Sequence, residues 1–390
     1  MAQGGRVVTI SEVFATHAAL EFHESRMMPV RAFADPEVLA VEREAIFADG
    51  WIAVAHVGQL VGAGAYVVVD VPSATGPGQR SVIVVRGDDG VMRAFDNVCI
   101  HRGAELLGGC GAAARITCPY HAWVYRLDGS LIGGPYMQSP AAEGGPEFHP
   151  GQHSLVPLAV TVWEGFVFVN QQTTPPPLTP ELTGLGEVVE RFRMAEYVPV
   201  HTQVDEWGTN WKLLVENFMD AYHIFKVHRA TFAKDGDNTL DTVMFPGTSA
   251  WAHHRVVHED GADIAHPDNT TLEGPWRKSV ILAAVFPTFV IQLQPNWLWW
   301  LQISPIGTDR VQIRWHVAVA PEMLAAQSDP DAYVADVLTL LNAVNAEDQP
   351  VVEGVRRRMD HPQFPQGPLS YLERNVFDFD RYVASKLAFR

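Results

Sequence analysis

Two short Cys/His couples constrain this chain more than anything else in it: Cys99-Ile100-His101 and Cys118-Pro119-Tyr120-His121, with sixteen residues between His101 and Cys118. A thiol and an imidazole this close in sequence can serve one ligand only from the tip of a tight loop. The fold must therefore bring two loop tips together. With 16 His in 390 residues, a His falls at one named position about 4% of the time and at both about 0.2%. A free thiol beside an unrelated surface His is the plainer reading of either couple alone, and a poor one of the two together. Around them, residues 51–170 run as short Val/Ile-rich stretches (66–71, 81–86, 122–125 and 165–169) broken by Gly, Pro and Asp, which predicts a small all-β module.

Each couple offers one soft thiolate and one imidazole. Two thiolates on one iron and two imidazoles on the other make the ligand set of a Rieske [2Fe–2S] centre, whose neutral imidazoles raise the potential above that of an all-Cys cluster. A Cys2His2 zinc site would use the same four side chains. The neighbours Asn97-Val98, Arg102-Gly103, Pro119 and Trp123 resemble the two cluster-binding loops of Rieske proteins. Cys110 lies between the loops and fits neither couple.

The rest of the chain reads as α+β. Asp35-Pro36 predicts an N-cap and first helical position, opening a helix through Phe47. Thr173-Thr174-Pro175-Pro176-Pro177 suits neither a helix interior nor a central strand, and marks a boundary. Beyond it, helical signal covers residues 211–227. Alternating runs follow at 251–258, 280–285, 289–293, 297–304 and 311–320, with the turn at 305–309 predicting an antiparallel hairpin. A final helix starts at Asp329-Pro330, with Val334, Val337, Leu338, Leu341 and Val344 at helical spacing.

Charge and cysteine content narrow the setting. The 28 Lys and Arg against 45 Asp and Glu leave a net charge of −17, which argues against nucleic acid or an anionic membrane as partner and suits a basic patch on another protein. Three Cys make no disulfide framework, pointing to a reducing, cytoplasmic setting. The opening MAQGGRVVT lacks a signal-peptide pattern, and no apolar run reaches the roughly 18 residues of a membrane span.

A second metal motif lies in Glu216-Asn217-Phe218-Met219-Asp220-Ala221-Tyr222-His223-Ile224-Phe225-Lys226-Val227-His228. Asp220 and His223, i and i+3, would share a helix face. His223 and His228, i and i+5, would stand roughly 140° apart on a regular helix. Both can bind one metal only if the helix ends, widens or breaks between them, and that irregularity is predicted here. Two unrelated His on a partly buried helix is the bland alternative. Asp348 changes the balance, because it continues the apolar stripe of Leu341 and Val344, where a carboxylate needs a cation, several donors or a proton. Two imidazoles and a carboxylate form the facial triad of non-haem iron oxygenases. Pro350 disturbs the helix phase, so Glu347 remains the alternative ligand.

Together these motifs resemble the α (oxygenase) subunit of the Rieske non-haem iron oxygenases, the aromatic-ring-hydroxylating oxygenase family. The resemblance runs from Phe33-Ala34-Asp35-Pro36 and Phe47-Ala48-Asp49-Gly50-Trp51, through the Cys/His loops and Asn210-Trp211-Lys212, to Glu347-Asp348. It implies an all-β Rieske domain followed by a helix-grip catalytic domain with an antiparallel sheet. The expected layout is a helical arm over residues 1–50, a Rieske domain over 51–172, a Pro-rich linker over 173–182 and a catalytic domain over 183–390. It further implies that Cys99 and Cys118 hold one cluster iron and His101 and His121 the other, and that His223, His228 and Asp348 hold mononuclear Fe(II). Asp220 would be the bridging carboxylate, linking a cluster His of one subunit (His121 by position) to His223 of its neighbour in a homotrimer. Electrons would come from NAD(P)H through a separate reductase, with or without a ferredoxin, and O2 would be the oxidant.

For the substrate, Phe218, Tyr222, Phe289, Trp297 and Trp299 are candidate pocket residues; alternation puts Trp297 and Trp299 on one face of a strand and Trp300 on the other. An aromatic box suits a quaternary ammonium through cation–π attraction, or a planar ring. Trp211-Lys212-Leu213-Leu214-Val215-Glu216-Asn217-Phe218 resembles the α3 branch acting on choline, glycine betaine and carnitine, by hydroxylation or oxidative N-demethylation. Aromatic-ring hydroxylation, as a mono- or dioxygenase, is the second reading. A Rieske electron carrier without oxygenase activity is a third, of a different class.

Overall fold

The computed structural model describes residues 9–74, 76, 78–137, 147–234, 239–257, 261–359, 361 and 364–388. Residues 1–8 of the opening segment lie outside them, as does His258 at the end of one predicted run.

Three helices lead in: α1 (Ile10–Ala18), α2 (Arg31–Ala34) and α3 (Pro36–Glu42). The Asp35 carboxylate accepts from the Glu37 amide and caps α3, with Pro36 at its first position. The turn continues to Phe47 in π-helical form.

A seven-stranded antiparallel sheet follows, built from β1 (Ile52–His56), β2 (Ala65–Pro72), β3 (Gln79–Arg86), β4 (Met92–Asp96), β5 (Cys110–Ala112), β9 (Pro157–Trp163) and β10 (Phe166–Asn170) in the order β1-β10-β9-β4-β3-β2-β5. A three-stranded sheet, β6 (Ile116–Thr117), β7 (Val124–Tyr125) and β8 (Leu131–Gly133), packs beside it. The predicted strand at 122–125 is shorter than its run, because Ala122 turns with φ 53° and only Val124–Tyr125 pairs. Ile83, Val85, Phe95, Cys99, Cys118, Trp123 and Tyr125 share one buried cluster under the two loops.

Thr173 through Pro177 run without helix or strand. Then come α4 (Thr183–Val189), β11 (Val198–Trp207), α5 (Trp211–Met219) and α6 (Ile224–Val227). The second seven-stranded sheet adds β12 (Thr242–Met244), β13 (Trp251–Val257), β14 (Ser279–Val285), β15 (Phe289–Leu293), β16 (Trp297–Pro305) and β17 (Val311–Val319), ordered β11-β17-β16-β15-β14-β13-β12 and antiparallel throughout. The predicted hairpin is present: β16 and β17 pair from Trp297↔Val319 to Pro305↔Val311. β11 is missing from the sequence reading. Its alternate residues are only half-buried, so it lacks the hydrophobic contrast that marks the other strands.

Three helices close the chain: α7 (Pro321–Ala326), α8 (Pro330–Arg358) and α9 (Arg374–Leu387). The helix beginning at Pro330 is therefore not the last one. α8 runs unbroken past Pro350 and buries Val337, Leu341, Val344, Asp348 and Val352 along one stripe. Asp348 thus keeps the phase set by its apolar neighbours. α9 packs against α1, and α5 lies between α8, α9 and the sheet. Among the described residues no helix is long and apolar enough to cross a membrane.

The arm and α5 are locked by a buried ion pair. Lys212 Nζ lies 2.5 Å from Glu42 Oε1, both side chains at most 1% exposed, and the indole of Trp211 donates to Glu42 Oε2 at 2.8 Å. Removing one partner strands the other charge. Lys212→Met should lower unfolding free energy by about 3–5 kcal/mol, measured by denaturant titration; a loss under about 1 kcal/mol would show that water reaches Glu42.

Candidate metal centres and substrate cavity

The two Cys/His loops close by the same hydrogen-bond pattern. Each Cys amide donates to the carbonyl five residues on, Cys99 to Ala104 and Cys118 to Trp123, both at 2.8 Å. Each Cys carbonyl accepts from the amide four residues on, Gly103 at 2.9 Å and Ala122 at 3.1 Å. Both of those residues sit at positive φ, 74° and 53°, which a glycine adopts without strain and an alanine does not. Asn97, 1% exposed, accepts from the amides of Leu106 and Leu107 and donates to the Leu107 carbonyl, fixing the first loop against its return strand.

These loops present Cys99 and Cys118 as buried thiols in mutual hydrogen-bond contact. Burial pushes the Cys118 thiol up, but the amides of His121 and Tyr120 and the Cys99 contact outweigh it, and the net direction is down. The Tyr125 hydroxyl reaches Cys99 Sγ at 3.2 Å. The imidazoles of His101 and His121 stand 4.8 Å apart, and Trp123 stacks on His101 at 4.7 Å. His101 Nδ1 is buried with no hydrogen-bond partner. Two thiols on one side and two imidazoles with an orphaned nitrogen on the other fit a [2Fe–2S] cluster. A second group of candidate metal ligands lies elsewhere in the chain, its donor atoms within 4.8 Å of one another. Cys110 is exposed on β5 and belongs to neither loop.

That second group is His223, His228 and Asp348. α5 starts where Asn210 accepts from the Lys212 amide and stops at Met219. Asp220 is extended, its Oδ1 accepts from the Tyr222 amide at 2.5 Å, and the Ala221 amide is taken by the Leu372 carbonyl. The predicted irregularity exists: His223 and His228 are the N-cap and C-cap of the four-residue α6, which ends at Val227 between them, and a second break, after Met219, precedes His223. Asp220 and His223 therefore do not share a helix face. They meet through this turn, with His223 Nδ1 3.2 Å from Asp220 Oδ2.

His223 Nε2 and His228 Nε2 lie 3.1 Å apart, and Asp348 Oδ1 is 3.5 Å from the first and 3.2 Å from the second. Three ligand atoms converge on one point, the arrangement a cation resolves. Glu347 points elsewhere: its Oε2 accepts from His228 Nδ1 at 2.9 Å and from the Thr231 hydroxyl at 2.6 Å. The two adjacent acids thus divide the work, Asp348 facing the centre and Glu347 orienting a ring. The fixed Nδ1 contact leaves Nε2 aimed at the centre. Helix phase alone puts Asp348 ahead of Glu347, one helical step of about 100° separating them, and the structure keeps that order. Glu347→Ala should weaken iron binding by about 10–100-fold with all three donors intact, read by metal competition; unchanged affinity would leave Glu347 a mere surface acid.

A cavity of about 590 Å³ opens beside the triad. Phe218, Trp297 and Trp299 line it, with Phe232, Gln292 and Gln294 as further wall residues that sequence reading missed. Two expected residues do not. Tyr222 is 48% exposed, turned out by the break after α5. Phe289 sits on the opposite face of the sheet, packed on Phe166 and Trp300.

Residues 194–388 match the family model of the ring hydroxylating alpha subunit (catalytic domain), and residues 50–158 match that of the Rieske [2Fe-2S] domain. The chain is 35% identical over 208 residues to the carnitine monooxygenase oxygenase subunit of Escherichia coli strain K12, a stretch covering 53% of each chain. The chain thus spans about half the length of that relative. It is 25% identical over 366 residues to the chloroplastic choline monooxygenase of Beta vulgaris, covering 92% of this chain and 76% of the other. Its fold superposes on the structure of a quaternary ammonium Rieske monooxygenase, described in terms of carnitine oxidation by gut microbiota and inter-subunit electron transfer. That match has a TM-score of 0.78 and 25% identity, and covers 97% of this chain and 98% of that one.

Proposed function

Because the chain belongs to the ring hydroxylating alpha subunit family, with a Rieske [2Fe-2S] domain ahead of the catalytic domain, we propose that it is the oxygenase component of a monooxygenase acting on a quaternary or methylated amine. The observation that carries this reading is the aromatic cavity beside a three-donor metal centre. Trp297, Trp299 and Phe218 offer ring faces to a positive charge, and two relatives are named for carnitine and choline.

When bound, the cluster supplies single electrons and the mononuclear iron binds and activates O2. Cys99, Cys118, His101 and His121 would hold the former, and His223, His228 and Asp348 the latter. The chain's other residues orient and exclude. Tyr125 donates to the Cys99 sulfur, Glu347 fixes the His228 ring, and the aromatic wall keeps water from the substrate's reacting carbon. Asp220 serves as the bridging carboxylate, joining His223 to His121 of a neighbouring copy in a homotrimer. A separate reductase delivers electrons from NAD(P)H, and the acidic charge of −17 suits a basic docking face on it. Residues 173–182 are the linker between the two units in this reading.

The test is a substrate panel with a surrogate reductase. Choline, glycine betaine and carnitine should give hydroxylated product or formaldehyde in step with NAD(P)H consumed. Ring diols or phenols from aromatic substrates, with no amine turnover, would replace this reading by aromatic hydroxylation. Two irons per chain with acid-labile sulfide and no turnover of either class would make the protein an electron carrier.

A further inference from the structure

Behind the Asp220 turn lies a group of buried ionisable side chains that the proposed reaction leaves unused. Glu216 on α5 and Asp380 on α9 meet in a hydrogen-bonded contact. Asp380 is 1% exposed. Glu216 Oε1 and Asp380 Oδ1 are both buried, and neither has a donor. Two carboxylates cannot hydrogen-bond each other without a proton between them.

Among the described residues no hydrogen bond reaches either of these two oxygens. Lys212 lies on the same helix, but its ammonium is taken by Glu42 of α3 at 2.5 Å. His17 of α1 stands 3.9 Å from Asp380 Oδ2, too far for a hydrogen bond, and burial holds its imidazole down at about 4, so it brings no positive charge near pH 7. The remaining neighbours, Glu373 before α9 and Asp220 at the end of α5, are acids.

We propose that Glu216 and Asp380 share one proton, forming a buried proton store one helical turn behind the carboxylate that faces His223. Releasing the proton would place a second negative charge beside Asp220, so the pair holds its proton more tightly when the Asp220–His223 end gains negative charge. The shared proton stands on this chain's own geometry. Its response to reduction rests on the role proposed above for Asp220.

Burial pushes the Glu216 carboxyl up to about 7, and pushes Asp380 well above the usual range, with Glu216 adding to the rise. The fold then holds a proton that the unfolded chain releases near 4.5. This part of the stability is complete below that value and falls away as pH climbs toward about 7.

Infrared spectroscopy of the full iron- and sulfide-loaded protein tests the pair. The wild type at neutral pH should show the carbonyl band of a protonated acid, shifted in D2O. The band should vanish in Glu216→Gln and in Asp380→Asn and survive in Glu373→Gln. Glu216→Gln should also flatten the fall of Tm between about pH 4.5 and 7. If either single variant does not fold, the Glu216→Gln/Asp380→Asn pair, whose amides bond without a shared proton, replaces it. Absence of the band in the wild type, or its survival in both variants, overturns the shared proton. Dithionite reduction should shift the band in the wild type; an unmoved band overturns the coupling and leaves the pair. Iron and sulfide counts on the same sample report separately on the oxygenase reading.

Discussion

Asp220→Asn should cut coupled turnover on the order of 100-fold while both metal centres stay loaded. The geometry separates the two roles of this side chain. Oδ1 accepts from the Tyr222 amide and shapes the turn after α5, while Oδ2 faces His223 Nδ1 at 3.2 Å. Asn keeps a carbonyl oxygen for the Tyr222 amide, so the turn and the His223 position survive. It loses the negative charge, and it offers an N–H where His223 needs an acceptor. The measurements are product formed per NAD(P)H consumed, with iron, sulfide and visible absorption on the same preparation. Normal coupled turnover would remove Asp220 from the electron path. Loss of iron would make it a support of the metal centre instead.

His228→Ala should lower iron from about three to about two atoms per chain, keep the visible spectrum of the cluster and reduce turnover to background. His228 is 2% exposed and held from behind by Glu347, with Nε2 3.2 Å from Asp348 Oδ1. Removing the ring leaves His223 and a carboxylate, too few donors for a stable centre of this kind. The cluster loops are held by their own hydrogen bonds and by Asn97, none of which involves His228. Elemental analysis beside absorption spectroscopy decides it. Retention of the full iron complement would place the third iron elsewhere in the chain.

How much of this was legible in the sequence depended on where each signal lived. The Cys/His loops were readable because four uncommon residues sat at fixed short spacings. Asp348 was readable because α8 keeps one periodic stripe, and the stripe survives Pro350. Tyr125, Glu347 and Gln292 act through contacts between distant segments, and no local spacing marks them. The end of α6 between the two His follows from their spacing, but the further break after Met219 does not. Its cause is tertiary: the Leu372 carbonyl, far along the chain, captures the Ala221 amide. Tyr222 and Phe289 are aromatic, but aromatic character does not say which way a ring points: Tyr222 turns to solvent, and Phe289 takes the far face of its sheet.

The alternation of β16 has a bearing on how such a chain can diversify. Trp297 and Trp299 face the cavity, while Trp300 on the reverse packs with Phe166 of β10 and Phe289 of β15, joining the two large sheets. One strand therefore supplies both a recognition wall and a structural seam, and the two are separated only by the direction of successive side chains. Exchanging rings on the first surface would reshape the cavity and leave the joint between the two sheets in place.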